Sequence, residues 1–345
     1  MGMFSLIVVS HELGHFVAAK VAGVKVKRFS LGFGPALYKK KVNGTEFVLS
    51  LIQLGGYVEL LGEDPAEDVP EEDKAQSFRH QPIRNRALIV LAGALFNIVL
   101  AIVLLTAVYW SGISVLAPEI GSVTEGSPAE IAGVLPGDRI LEINRMHVQL
   151  YEDVIRVIQE NPGVSLPMKL QRTDKVIVTS VIPEKRIGYD ALKRPSETGF
   201  FGVSPKGTKT VYGVNIIEAF TMALGKAWEM TSLVFSAFVM LLKGQLPISD
   251  LGGPIMVVKT ASDQINIGLQ NFLFTIAFLS VNIGIFNLIP FPALDGGIMI
   301  FLLLECLRGK PLKPKAMLLA QRLGVSSLIV LVVFVFYNDI MKLVK

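Results

Sequence analysis

The chain predicts an α-helical integral membrane protein with four transmembrane helices and an extracytoplasmic α+β domain inserted between the second and third. Three observations carry this reading. Hydrophobic residues make up 51% of the 345 positions and charged residues only 18%, where a soluble domain has about 25% charged residues. Mean hydropathy is +0.53. The apolar residues are gathered into span-like stretches, and the basic residues into two of the loops between them.

The first apolar stretch is Phe4–Val21, and even Met1–Ala22 barely reaches the ~20 residues a span needs. It holds His11-Glu12-Leu13-Gly14-His15 near its middle. Only ten residues precede His11, so either this span is short or the true start lies upstream. No cleavable signal is expected, because cutting one off would remove the motif. Ala87–Trp110 and Phe272–Pro292 are further spans, and Val325–Tyr337 is a shorter one that could extend back toward Ala316. Ala219–Leu242 carries Lys226, Glu229 and Lys243 and is expected to lie at the interface rather than cross.

The first loop contains Lys20, Lys25, Lys27, Arg28, Lys39, Lys40, Lys41, Arg79, Arg84 and Arg86. The loop after the third span contains Arg308, Lys310, Lys313, Lys315 and Arg322. By the positive-inside rule both loops face the cytoplasm, which leaves the segment from Ser111 to Gln270 outside. The expected divisions are 1–112 (two spans), 113–186 (the inserted domain), 187–270 (linker and interfacial helix) and 271–345 (two spans). Within the first loop, Gly32-Phe33-Gly34-Pro35, Glu46–Leu51 and Gly55–Leu60 read as short strands joined by turns. Such strands form either a plain hairpin or an edge that adds an extended peptide. The acidic run Glu63, Asp64, Glu67, Asp68, Glu71, Glu72 and Asp73 reads as a solvated loop. Net charge is +4, which offers nothing for nucleic acid. The single cysteine, Cys306, excludes an intrachain disulfide and a cysteine zinc site.

His11 and His15 are four residues apart, one helical turn, so their imidazoles share a face. H-E-x-x-H of this kind supplies two zinc ligands, with the intervening Glu12 placed to act as base on the water such a metal activates. Ionisable groups at membrane depth mark functional sites. A hydrolytic site needs a third ligand. His80 and His147 are poorly placed, and Asp295 is the candidate. It follows Pro290 and Pro292, which break the third helix, and precedes Gly296-Gly297, which allow a tight turn. The competing role for Asp295 is to cap the next helix; its position on the same membrane side as the C-terminal half of the first span favours the ligand.

With these residues assembled, the chain resembles the site-2 protease family of intramembrane zinc metalloproteases, in the bacterial branch that regulates sigma factors and with a single PDZ domain. The matching pieces are His11–His15, Gly55-Gly56-Tyr57-Val58, Ala92-Gly93 with Asn97, Gly252-Gly253-Pro254-Ile255 and Asn282 through Gly297. The resemblance implies zinc held by His11, His15 and Asp295, with Glu12 as base. It implies that Asn282 and Asn287 position the substrate backbone, and that Gly55, Gly56, Tyr57 and Val58 belong to a β-loop that re-enters the membrane. It further implies a multi-pass protein of the bacterial cytoplasmic (inner) membrane, with its active site toward the cytoplasm and its PDZ domain outside. Its substrates would be single-span membrane proteins, anti-sigma factors or signal-peptide remnants, cut within their transmembrane segments in regulated intramembrane proteolysis. Ile120 through Ile182 resembles the PDZ domain, which either takes a peptide C-terminus by strand addition or acts as a steric filter. A membrane PDZ scaffold with a structural metal and an ion-coupled transporter are the competing readings. An intact Glu12 counts against the first, and four spans without internal repeats against the second.

Overall fold

The computed structural model describes residues 2–189, 195–245 and 254–344. The chain divides into two units: residues 1–108 with 219–345, and residues 109–218.

Among its described residues the first unit is helical apart from one sheet. Its helices are α1 (Gly2–Val21), α2 (Ile83–Trp110, whose last turn enters the second unit), α5 (Ile216–Leu242), α6 (Pro254–Ile267), α7 (Leu269–Asn287), α8 (Asp295–Arg308) and α9 (Pro314–Val344). Among the described residues four helices are long and apolar enough to cross a membrane: Met3–Val21, Ile83–Trp110, Leu269–Asn287 and Pro314–Met341. The fourth runs well beyond the Val325–Tyr337 core. Much of its apolar surface is exposed, Leu323, Ile329, Val330 and Val333 included, which suits a lipid-facing helix. The third span stops at Asn287, short of the expected Pro292. Pro290 and Pro292 lie in a tight 288–294 turn before α8, as their fixed φ and missing N–H require. Gly252 and Gly253 lie outside the described residues.

Between α1 and α2 the first loop forms β1 (Val26–Val42) and β2 (Thr45–Leu60), joined at Asn43-Gly44, both of positive φ. Asn-Gly is the dipeptide a tight hairpin turn favours. The register is broken by bulges. Arg28, Phe29, Ser30 and Leu31 face Glu46, Phe47, Val48 and Leu49 on one side, and Glu59, Val58, Tyr57 and Gly56 on the other. The run 26–31 is therefore interior, and the run 56–60 is an edge among the described strands. The sheet packs along α1: a methyl placed on Gly56 would lie 2.8 Å from the Ser30 carbonyl and 3.3 Å from Val8. Phe16, Phe29 and Phe47 meet edge-on or tilted at 5.6–5.8 Å. Beside them Ala19, Val26, Leu60, Phe78, Ile89 and Val90 form one buried cluster.

The second unit is an α+β fold. Its main sheet has the order β6 (Met146–His147), β5 (Arg139–Ile143), β7 (Leu166–Arg172), β8 (Lys175–Val181). β7 alternates strictly: Leu166, Met168 and Leu170 are buried and Pro167, Lys169 and Gln171 exposed, the period-two pattern of a half-buried strand. α4 (Tyr151–Glu160) buries Tyr151, Val154, Val157 and Ile158, one helical stripe, in the same core. α3 (Pro128–Ile131) is capped by Ser127, whose hydroxyl accepts from the Glu130 N–H. The compact unit extends past the expected 113–186. β11 (Val203–Pro205) pairs with β4 (Ile120–Val123), and β12 (Lys209–Tyr212) with β3 (Ile113–Leu116), while β9 (Glu184–Tyr189) and β10 (Pro195–Phe200) form a ribbon. Pairings between strands some 90 residues apart leave no local signature in the sequence.

Candidate metal centre

His11 and His15 lie on the face of α1 turned toward α2 and α8. Their rings meet edge-on, with centroids 4.7 Å apart. Nε2 of His11 and Nε2 of His15 are 3.2 Å apart. Oδ2 of Asp295 lies 3.1 Å from the first and 3.4 Å from the second. Three donors on the vertices of a tetrahedron with metal–ligand bonds of ~2.0 Å are separated by about 3.3 Å, so the spacing matches a zinc site. Among the described residues this trio is the group of side chains able to hold a metal.

The polar atoms fit a metal in a second respect. The His15 Nδ1–H donates to the Ile89 carbonyl at 2.8 Å, which fixes the tautomer and leaves Nε2 with its lone pair free. Asp295 Oδ2 is buried and has no hydrogen-bond partner. An unsatisfied buried carboxylate oxygen is costly, and a cation between it and the two imidazoles satisfies it. Asp295 is the first residue of α8 and not its cap: the cap position is Leu294, and no side chain caps the helix. That geometry removes the competing role foreseen for it.

Glycines let the backbones come this close. A methyl on Gly93 of α2 would sit 2.4 Å from His15 Nε2 and 2.7 Å from His11 Cε1. One on Gly14 would meet the Ala92 carbonyl oxygen at 2.2 Å, and one on Gly296 the Ile289 carbonyl oxygen at 2.1 Å. Gly296 and Gly297 are thus needed less for turning than for α8 to start against the 288–294 backbone.

Glu12 does not join the trio. It lines a cavity of about 200 Å³ together with His11, His15, Asp295, Tyr57 and Val58. Asn287 places its Nδ2 3.2 Å from His11 Nε2, at the rim of the trio. Asn282 is different: its Nδ2 donates to the Phe278 carbonyl of its own helix at 2.7 Å, and it does not line the cavity. Of the Gly55–Val58 segment, Tyr57 and Val58 line the cavity, Gly56 packs beside Glu12, and Gly55 packs against Phe33. His80 instead has its Nδ1 3.2 Å from the Ser77 hydroxyl.

Sequence reasoning missed several contributors. Gly93 was part of a motif without a role, and the Ile89 carbonyl has no side-chain signal at all. Glu63, assigned to a solvated acidic loop, lines the same cavity. In that loop Glu67 pairs with Lys27 at 3.0 Å and Asp73 with Lys25 at 3.3 Å.

This arrangement has the donor set of a class, the zinc hydrolase centres of the H-E-x-x-H type, with a carboxylate within reach of the two imidazoles. Comparison with known proteins agrees. Residues 1–331 match Peptidase family M50, and the chain belongs to that family of zinc metalloproteases. It is 32% identical to a protein of Campylobacter jejuni named as a zinc metalloprotease, over 99% of this chain and 92% of the relative. It is 30% identical to the regulator of sigma E protease of Haemophilus influenzae, over 98% and 97%. It is 28% identical to the zinc metalloprotease RasP of Oceanobacillus iheyensis, over 99% and 97%. The chain is accordingly an integral membrane zinc metalloprotease.

Proposed function

We propose that the chain is an intramembrane endopeptidase that cuts single-span membrane proteins within their transmembrane segments, with zinc held by His11, His15 and Asp295 and with Glu12 as general base. The observation that carries the proposal is the trio's place. The donors lie 3.1–3.4 Å apart; the two imidazoles are built on a helix of span-like composition, beside the edge run 56–60 of the sheet, and the carboxylate on the first residue of α8. A relative named regulator of sigma E protease supports a sigma-regulating substrate such as an anti-sigma factor, in regulated proteolysis at the bacterial inner membrane; signal-peptide remnants are the other single-span class this reading takes.

Bound zinc supplies a Lewis acid that polarises the scissile carbonyl and brings the pKa of water toward about 7. The chain does the rest. A helical substrate has its carbonyls tied up in intrahelical bonds, so it must unwind. The 56–60 edge offers backbone partners to the extended form, and the Asn287 amide, at the rim of the trio, donates to it. Asn282, bonded to its own helix, acts at most through α7. Glu12 takes the proton of the attacking water and passes it to the leaving amine. The cavity beside Glu12 admits the water that lipid excludes. By the positive-inside rule it opens to the cytoplasm, with the 109–218 unit outside. That unit, a PDZ-type domain in this reading, filters substrates by the size of their ectodomains or takes a peptide end.

The test is co-expression of tagged single-span proteins with the wild type and with Glu12→Gln. Loss of a positioned acid–base group costs about 100- to 10,000-fold in rate, and zinc content and substrate association should survive. His15→Ala should lose the zinc itself. Cleavage by Glu12→Gln at the wild-type rate would overturn the base assignment, and full zinc in His15→Ala the ligand set.

A further inference from the structure

Helix α8 brings a zinc ligand at its first residue, yet that residue is held by no cap. What sets its position lies ten residues on. Asp295, Ile298, Leu302 and Glu305 fall at i, i+3, i+7 and i+10, one stripe of the helix. Ile298 packs on the cluster that contains Ile89 and Val90 of α2, and Leu302 is 4% exposed. The stripe ends in an ion pair: Arg86 of α2 donates from Nη1 to Glu305 Oε2 at 3.0 Å and from Nη2 to Glu305 Oε1. The Arg86 and Glu305 side chains are only 9% and 17% exposed, and Arg86 Nε is buried without a partner.

Arg86 lies one turn before Ile89, whose carbonyl orients His15. Two parts of the metal centre are thereby tied to neighbouring turns of α2, His15 through Ile89 and α8 through Arg86. We propose that the Arg86–Glu305 pair is a register clamp. It fixes how far α8 slides along and turns against α2, so that Asp295, about 15 Å away along the helix at 1.5 Å per residue, meets the two imidazoles. Both are positioning residues for the metal. The apolar contacts of Ile298 and Leu302 hold the helices together, but such contacts are non-directional and tolerate sliding. A bidentate guanidinium–carboxylate pair accepts one geometry. This inference rests on the zinc assignment proposed above.

Stability and register can be separated. Replacing a buried ion pair by apolar residues of similar volume is often neutral or stabilising, so Arg86→Met/Glu305→Leu should keep the fold and lose the register. The full-length protein, purified in detergent, is titrated with zinc against a competing chelator. Its metal-free thermal midpoint is recorded, and so is the spectrum of the cobalt-substituted form. The double variant is expected to bind zinc about tenfold more weakly, the lower end of the range for residues that orient a ligand. Its thermal midpoint should be unchanged or higher, and its cobalt bands shifted. Wild-type zinc affinity and cobalt spectrum in that variant would overturn the clamp. If it yields no folded protein, the near-isosteric Glu305→Gln carries the same measurement, with tenfold weaker binding supporting the clamp and wild-type binding overturning it. His15→Ala, run alongside, keeps the two ideas apart: if it retains zinc the ligand set is wrong, and if it alone loses zinc only the clamp is wrong.

Discussion

Gly93→Ala is a small substitution with a large expected consequence. The added methyl would stand 2.4 Å from His15 Nε2 and 2.7 Å from His11 Cε1 and His15 Cε1. Ordinary van der Waals contact needs about 3.5 Å, so roughly 1 Å of displacement is required at the ligand atoms themselves. The usual escape, rotation of the obstructing side chain, is restricted. His15 is held at Nδ1 by the Ile89 carbonyl at 2.8 Å, and its other ring nitrogen must reach the metal. Separating α1 from α2 would relieve the clash but open the close contact at Gly14. Overpacking of this kind costs about 1–3 kcal/mol, and a displacement near 1 Å in a catalytic constellation costs about 100-fold in rate. Gly93→Ala should therefore fold with a modest loss of stability, bind zinc more weakly and cleave about 100-fold more slowly. The assays are zinc competition against a chelator, cleavage of a single-span substrate at saturating zinc, and thermal unfolding of the metal-free protein. Wild-type zinc affinity together with a wild-type rate would refute the reasoning, because the methyl cannot be accommodated without moving a ligand.

The same logic separates two other helix glycines. Gly14→Ala places its methyl 2.2 Å from a backbone oxygen that cannot rotate away, so α1 must shift; folded yield in detergent should drop with a stability loss of about 1–3 kcal/mol. Gly225→Ala meets nothing within 4 Å and should instead stabilise α5 by up to about 1 kcal/mol; a fall in thermal midpoint would contradict this. In the second unit, burial pushes the Asp138 carboxyl up, but the Arg172 hydrogen bonds at 2.7 and 2.8 Å and the Leu135 N–H at 2.9 Å outweigh it and hold its pKa below 3.8. The unfolded chain thus binds the proton more readily. The stabilisation is fully present above about pH 4 and is lost as pH falls through the folded-state pKa. Hydrogen exchange within 109–218 should show Asp138→Asn opening more readily than wild type at pH 7, with the gap closing in acid; a constant gap down to pH 2 would rule out the linkage.

The sequence was sufficient where a signal is local. H-E-x-x-H announces itself because helix periodicity alone puts His11 and His15 on one face. The spans were readable because lipid demands long apolar runs. The break before Asp295 was readable because proline cannot continue a helix. Even so, Ala219–Leu242 needed its charges weighed against its apolarity, and α9, whose extension back toward Ala316 was readable, runs on past Tyr337 to Val344 although the polar pair Asn338-Asp339 reads as an end.

What the tertiary structure alone decided depends on partners distant in the chain. Asp295 was already the ligand candidate in the sequence, but only the structure puts its unsatisfied Oδ2 within 3.1–3.4 Å of two imidazoles some 280 residues away in sequence. Asn282 and Asn287 look alike in the sequence, yet one bonds its own helix and the other reaches His11, because five residues turn a helix by 500° and so onto a different face. Gly93 shows the limit most plainly. Local sequence determines that a residue without a side chain sits in α2; only the packing of α1 against it explains why nothing larger fits, since steric exclusion is a property of two surfaces and each segment encodes one.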